Sequence, residues 1–215
     1  MVLRKLTVLA VGVLLIGTAS LATAGVPDPA LSTAEMRAYA GTATLSMFNL
    51  PNGGGRAFDR AFAPGGATAD ATITVTVRDG LGAPIEFFPF EDIWLQSIPD
   101  AAQRGLIACG GNATADANTD ALGETVFANP LFAGGQSTNI TQVVISGDPL
   151  TSGDVGLRFN SPDINGDGAT NLSDGGFFTV ILFGAYSYTG DFNNDGVVNV
   201  SDAGFMSNGL GAGCP

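Results

Sequence analysis

The sequence predicts a mainly β chain, an antiparallel β-sandwich followed by a small α-helical module. Three observations carry this. Ile73, Val75 and Val77 alternate with Thr72, Thr74 and Thr76, the period-two pattern of a half-buried strand. Turn clusters (PNGGG, APGG, ACGGN, DALG, AGG, SGD) separate short apolar runs along residues 25–160. Finally, a polar frame is written twice near the C-terminus, and an apolar run follows each copy.

Taken in order, residues 1–24 read as a secretory signal peptide. Arg4 and Lys5 form a charged start, Leu6 to Ile16 an apolar stretch, and Ala22-Thr23-Ala24 a small-residue cleavage site before Gly25. The apolar stretch is too short to span a bilayer, and no Cys stands at the cleavage point for a lipid anchor. The expectation is a secreted protein, extracellular or at the cell surface. Thr33 to Ala40, with Ser32 as its cap, is the one helical hint before the C-terminal module. Strands are expected at 42–49, 56–62, 72–78, 85–90, 92–98, 105–109, 124–128, 139–147 and 155–160, with Asp79-Gly80 and Gly82 turning the chain. Many short strands at this spacing suggest an antiparallel sandwich over residues 25–160.

Composition narrows the function. Charge is low and apolar content is 45%, which argues against a disordered stalk. The formal net charge of −12 becomes −14 once Arg4 and Lys5 leave with the leader, which argues against nucleic acid and anionic membranes as partners. The chain has no His, and its one Lys lies in the leader. The commonest general base, the commonest zinc ligand and Schiff-base chemistry are therefore missing. Glu86, Glu91 and Asp92 could form a carboxylate pair for glycoside hydrolysis, but carboxylates flanking a strand are more simply solvated. The expectation is a protein that is not an enzyme. Trp94, the single Trp, can be either a core residue or an exposed platform for sugar stacking. Asp116, Asn118 and Asp120 imitate the start of a cation loop, yet Ala121 stands at the turn position and Phe127 at the closing one, so a turn before a strand is the simpler reading. Cys109 and Cys214 pair either within the chain, stapling the tail to the β-region, or between chains.

The repeated frame carries the chemistry. Residues 163–174 read DINGDGATNLSD and residues 191–202 read DFNNDGVVNVSD. Each copy places carboxylates or carboxamides at positions 1, 3, 5, 9 and 12 and Gly at position 6, the pattern of a twelve-residue calcium loop. Ca²⁺ takes six to eight oxygens, and alternating side chains on a tightly curled loop can supply them. The first set is Asp163, Asn165, Asp167, the Ala169 carbonyl, Asn171 and Asp174. The second is Asp191, Asn193, Asp195, the Val197 carbonyl, Asn199 and Asp202. Gly168 and Gly196 allow the chain reversal. Two calcium ions are expected. The apolar pairs Ile164/Phe192, Leu172/Val200, Phe177/Phe205, Phe178/Met206 and Leu182/Leu210 recur in register and are expected to form the core between two loop–helix units. Position 12 is Asp rather than Glu, and GLRFNSP before Asp163 reads as a strand, so each unit is a loop with an exiting helix only. Ser173 and Ser201 are the expected N-caps, a role the following Asp174 and Asp202 could share.

The D-x-N-x-D-G-x-x-N-x-S-D frame, present twice, resembles dockerin type I domains over about residues 161–212, within a module expected to span 161–215. That resemblance implies two calcium ions and docking onto a cohesin-like protein partner. Thr179, Val180, Ser207 and Asn208 stand where dockerins usually carry basic residues. VTVRDGLGAPI, NTDALGETVF and QVVISG resemble bacterial immunoglobulin-like domains, which act as spacers and adhesive modules. The expected architecture is an immunoglobulin-like antiparallel β-sandwich followed by a small α-helical dockerin-like calcium-binding module. The expected function is non-catalytic, through protein–protein interaction or surface attachment. One alternative is a self-assembling subunit of a filament or surface layer, in which Val26 to Asn49 could act as an exchanged arm. Another is a carbohydrate-binding module using Trp94 on a polysaccharide.

Overall fold

The computed structural model describes residues 25–97, 103–111 and 113–215. The expected signal peptide lies outside them. No described helix is long and apolar enough to cross a membrane.

The Ile73/Val75 alternation forms β5 (Ile73–Thr76), the centre of an antiparallel sheet with β1 (Thr33–Glu35) and β9 (Glu124–Phe127). A second antiparallel sheet runs in the order β12 (Asp148–Pro149), β11 (Thr141–Ile145), β6 (Ile93–Ser97), β8 (Ala113–Thr114). In the third, β13 (Leu157–Asn160) lies parallel to β2 (Leu45–Phe48), followed by β3 (Ala61–Phe62) and β4 (Thr68–Ala69). A short ribbon pairs β7 (Ile107–Ala108) with β10 (Ala133–Gly134). Two α-helices are described, α1 (Leu172–Leu182) and α2 (Val200–Gly209). Among the described residues the protein is thus mainly β, with several sheets and its α-helices in the C-terminal quarter. The parallel β13–β2 pair departs from the all-antiparallel expectation.

The sheets enclose one large core, to which Leu45, Met47, Ile73, Val75, Ile93, Leu95, Phe127, Val143, Ile145, Leu157 and Phe159 contribute. A second core joins Phe48, Leu50 and Phe62 of the β-region to Ile164, Phe178, Phe192, Met206 and Ala212. β2 serves both, because successive side chains leave a strand on opposite faces. Leu45 and Met47 enter the large core, whereas Phe48 enters the second and Ser46 pairs its hydroxyl with that of Tyr188 at 2.7 Å.

Several expectations change. Thr33 to Ala40 is not a helix: Thr33–Glu35 pair with Thr74–Thr76, and Ser32 Oγ accepts the Arg78 N–H at 3.0 Å instead of capping. Pairing with a strongly β-forming neighbour outweighs weak local helix propensity. Residues 85–90 do not form a strand, since Phe87 takes a φ of 58° and its neighbour's N–H goes to Thr119 Oγ1. Residues 56–62 open with a 3₁₀ turn at Phe58–Arg60, leaving only β3 extended. Of the apolar frame, Ile164, Phe192, Phe178 and Met206 are buried, but Leu172 and Val200 are 86% and 85% exposed. They follow the capping residue, where the first helical turn points away from the core. Phe177 and Leu210 are also half exposed.

Candidate metal centre

Loop 1 (residues 163–174) leaves β13 directly, and loop 2 (residues 191–202) follows a 3₁₀ turn at Tyr188–Gly190. In loop 1, Asp163 is fully buried. Its Oδ1 accepts the Asp167 N–H and its Oδ2 the Gly168 N–H, both at 3.0 Å. Asn165 Oδ1 also accepts the Asp167 N–H, and its Nδ2 donates to Asp167 Oδ2 at 2.9 Å. Asp167 Oδ1 accepts the Ala169 N–H at 3.0 Å. Asp174, again fully buried, accepts the N–H groups of Asn165 and Asn171 at 3.0 and 2.9 Å.

Loop 2 repeats this almost bond for bond. Asp191 accepts the N–H groups of Asp195 and Gly196 at 3.0 and 2.9 Å. Asn193 accepts the Asp195 N–H and donates to Asp195 Oδ2. Asp195 accepts the Val197 N–H at 2.9 Å, and Asp202 accepts the N–H groups of Phe192 and Asn199. Gly168 and Gly196 have φ of 86° and 87°, a conformation costly for any residue with a Cβ. Polypeptide segments of unlike sequence between the polar positions reach one geometry because those positions and the Gly dictate it.

The helices begin where the loops end. Asn171 and Asn199 are the N-caps: each accepts the N–H of the Ser two residues on, while Asp174 or Asp202 reaches back to the cap N–H, a capping box. Ser173 and Ser201, the expected caps, lie inside the first turn instead. Asp174 and Asp202 therefore end the loops and start the helices at once.

The electrostatics of the loops set their carboxylates apart from the others in the chain. Asp163, Asp174, Asp191 and Asp202 are all fully buried, and among the described residues none forms an ion pair. A buried charge without a counter-charge is costly even when hydrogen-bonded. Burial accordingly pushes the Asp163 and Asp202 carboxyls above the usual range, partly opposed by the N–H groups they accept and reinforced by neighbouring carboxylates. In loop 1, Asp163, Asp167 and Asp174 each offer an oxygen, all within 4.8 Å of one another. Oxygens on one Ca²⁺ at about 2.3–2.6 Å lie at most about 5 Å apart, so the trio fits such an ion. Among the described residues no other trio meets that spacing. In loop 2, Asp191 Oδ2 additionally accepts the Tyr186 hydroxyl at 2.9 Å. Burial, that bond and the loop carboxylates raise the Tyr186 phenol to about 12.

No family model matches the chain, and no curated protein matches it. Among solved structures the chain is similar to one titled "Crystal structure of the Lin-41 filamin domain". The identity is 12%, over 58% of this chain and 87% of that one, with a TM-score of 0.27.

Other residues singled out in the sequence lie apart from the loops. Trp94 is half-buried, on the face of β6 opposite Ile93 and Leu95, and so outside the large core. Glu86, Glu91 and Asp92 are exposed. Asp116 and Asp120 brace turns, accepting N–H groups of Ala128, Asn129, Leu122 and Glu124. Val197 is exposed, and the Ala169 carbonyl accepts Asn171 Nδ2. Three contributors have no sequence signal: Tyr186, Gly134 beside Asp163, and Asn160, whose Nδ2 donates to the Tyr188 and Asp191 carbonyls.

Proposed function

We propose that this is a secreted, non-catalytic calcium-binding protein in which each loop holds one structural Ca²⁺. The observation that carries the reading is the set of four buried carboxylates, two per loop, with N–H donors and no basic partner. Loop 1 would supply Asp163, Asn165, Asp167, the Ala169 carbonyl, Asn171 and Asp174; loop 2 would supply the equivalent residues from Asp191 to Asp202. Bound calcium would neutralise the clustered charge and brace both helix starts against the β-region. We further propose that the β-region is an immunoglobulin-like scaffold and that the C-terminal segment is dockerin-like, acting through a protein partner. The exposed side of α1 supports the interaction role. Leu172, Phe177, Val180 and the following Phe183 are 86%, 50%, 74% and 83% exposed, on a helix whose one charge is the buried Asp174. Exposed apolar faces of this kind mark interaction sites. The self-assembling subunit draws on the same face.

The test is calcium titration by calorimetry, with melting and particle size followed alongside. The proposal expects two ions per chain, one lost in Asp163→Ala and the other in Asp191→Ala, and a rise in melting temperature with calcium. A particle that grows on adding calcium favours self-assembly; an unchanged monomer favours a separate partner. Absence of calcium binding by the unaltered protein sinks the reading.

A further inference from the structure

The two loops have matching internal bonds but different surroundings. Loop 1 lies between two jaws. On one side the C-terminal tail runs along it. Cys214 donates its N–H to the Gly168 carbonyl at 2.8 Å, Thr170 donates to Ala212 at 2.7 Å, Gly211 donates to Thr170 at 2.9 Å, and Ala169 bridges Gly213. A Cβ on Gly168 would sit 3.0 Å from Cys214 Sγ. On the other side stands the β7–β10 ribbon. Gly135 donates its N–H to the Asp163 carbonyl, a Cβ on Gly134 would overlap Asp163 Oδ2, and one on Gly166 would meet Ile107. Cys109 directly follows β7, and it is bonded to Cys214. The disulfide therefore joins the two jaws across the loop.

Among the described residues, loop 2 has no such clamp. It rests on Gly65 and Gly66, whose N–H groups reach the Asn194 carbonyl, on the Phe62 carbonyl through Asn194 Nδ2, and on Asn160 and Tyr186.

We infer that the Cys109–Cys214 disulfide is a positioning element of the loop 1 cation site, making that site, and not loop 2, dependent on the oxidised bond. This rests on the calcium reading above. With the bond intact, Gly168 and Asp163 are held in register by both jaws at no further ordering cost. With it open, the tail must be ordered whenever calcium binds, and affinity falls by that cost. Loss of an outer support of a metal ligand typically lowers affinity about 10- to 100-fold. Reciprocity then requires calcium in loop 1 to make the disulfide harder to reduce by the same factor. A tenfold effect corresponds to about 30 mV for this two-electron couple. In the reaction, a dithiol gives up two electrons and two protons and closes to its own disulfide, while Cys109 and Cys214 become thiols.

The experiment is calcium calorimetry on the protein and on Cys109→Ala/Cys214→Ala. Each is also combined with Asp191→Ala, leaving loop 1, or Asp163→Ala, leaving loop 2. The expected result is loop 1 weakened at least about tenfold, with loop 2 essentially unchanged, which also certifies that the variant folds. Equal weakening of both loops, or of neither, overturns the inference while leaving the calcium reading intact. No calcium bound by the unaltered protein overturns the calcium reading itself. A second measurement keeps native cysteines: equilibrium reduction with dithiothreitol, with and without calcium. Calcium should raise the dithiothreitol ratio needed at least about tenfold. Asp163→Ala should abolish the effect and Asp191→Ala should keep it; a calcium-independent midpoint overturns the inference.

Discussion

A methyl group on Gly134 would lie 1.9 Å from Asp163 Oδ2 and 2.8 Å from its carboxyl carbon. Neither Asp163, held by three loop contacts, nor the β10 backbone can retreat cheaply. Gly134→Ala should therefore cost about 1–3 kcal/mol of overpacking and weaken the loop 1 site, leaving loop 2 intact. Melting and calorimetry on that variant check this; a normal loop 1 affinity would show that Asp163 is freer than its contacts suggest. pH acts at the same residue scale. Burial holds the Asp163 and Asp202 carboxyls above the usual range, so the folded chain keeps those protons to a higher pH than the unfolded chain does. Their contribution to stability is present below the unfolded value of about 3.9 and is lost as pH rises through the raised folded value. Calcium ligation of the kind proposed needs both groups ionised. The melting-temperature gain from calcium should thus be full near neutral pH and shrink as pH falls, beginning above the ordinary Asp range. A gain that holds down to the ordinary range counts against ligation by these two. The loop carboxylates and their hydrogen-bonded turn were legible in the sequence because loop chemistry is local. Gly134 was not, since its importance comes from a neighbour distant in sequence.

At the scale of elements, the helix starts separate two roles that the sequence left entangled. The Asn-x-Ser-Asp frame contains three residue types that cap helices, and Ser173 and Ser201 are the expected caps, a role the following Asp could share. The structure gives the cap to Asn199, with Asp202 closing the box. In chelator, Asn199→Ala should cost about 1 kcal/mol, whereas Ser201→Ala, inside the first turn and exposed, should stay near zero. Thermal melts of the two variants decide it, and the reverse order would restore Ser201 as the cap. Strands read well wherever alternation was strong, as at Ile73–Thr76, Ile93–Ser97 and Thr141–Ile145. They read poorly where pairing partners decide. Thr33–Glu35 looks helical by itself and becomes a strand because Thr74–Thr76 offer an edge. The two-residue strands β3, β4, β7, β8, β10 and β12 are too short to show any period. Phe192 illustrates what the apolar repeat did convey: it is fully buried, stacked on Phe178 at 5.6 Å and edge-on to Phe48 at 5.9 Å.

For the whole molecule, Phe192 touches both the loop–helix units and the β-region, so the two share stability. Phe205 adds ring contacts to Phe48 at 5.0 Å and Phe62 at 5.8 Å. Phe192→Ala should cost about 3–5 kcal/mol and lower one common transition rather than splitting off a separate C-terminal melt. The chain topology argues the same way. β13 is the strand beside β2, the peptide runs from it straight into loop 1, and the disulfide ties Cys109 to the penultimate residue, closing a separation of 105 residues. In the chain-entropy picture, closure over about 100 residues adds about 4.7 kcal/mol. A cut after Asn160 would uncover Phe48, Leu50 and Phe62 together and leave Cys109 without its partner. Residues 25–160 produced alone should then expose a contiguous aromatic surface, bind a hydrophobic dye and aggregate. Residues 161–215 alone should lack half of the second core and show no cooperative melt, even in millimolar calcium. Expressing both pieces together should restore one soluble complex if the interface is as continuous as the core implies. Two pieces that each melt cooperatively, with no gain on mixing, would mean that the aromatic contacts at Phe48 and Phe62 only cap two independent folds. The two loops would then be an appendage, and disrupting loop 1 in Asp163→Ala would leave the β-region's melting temperature untouched.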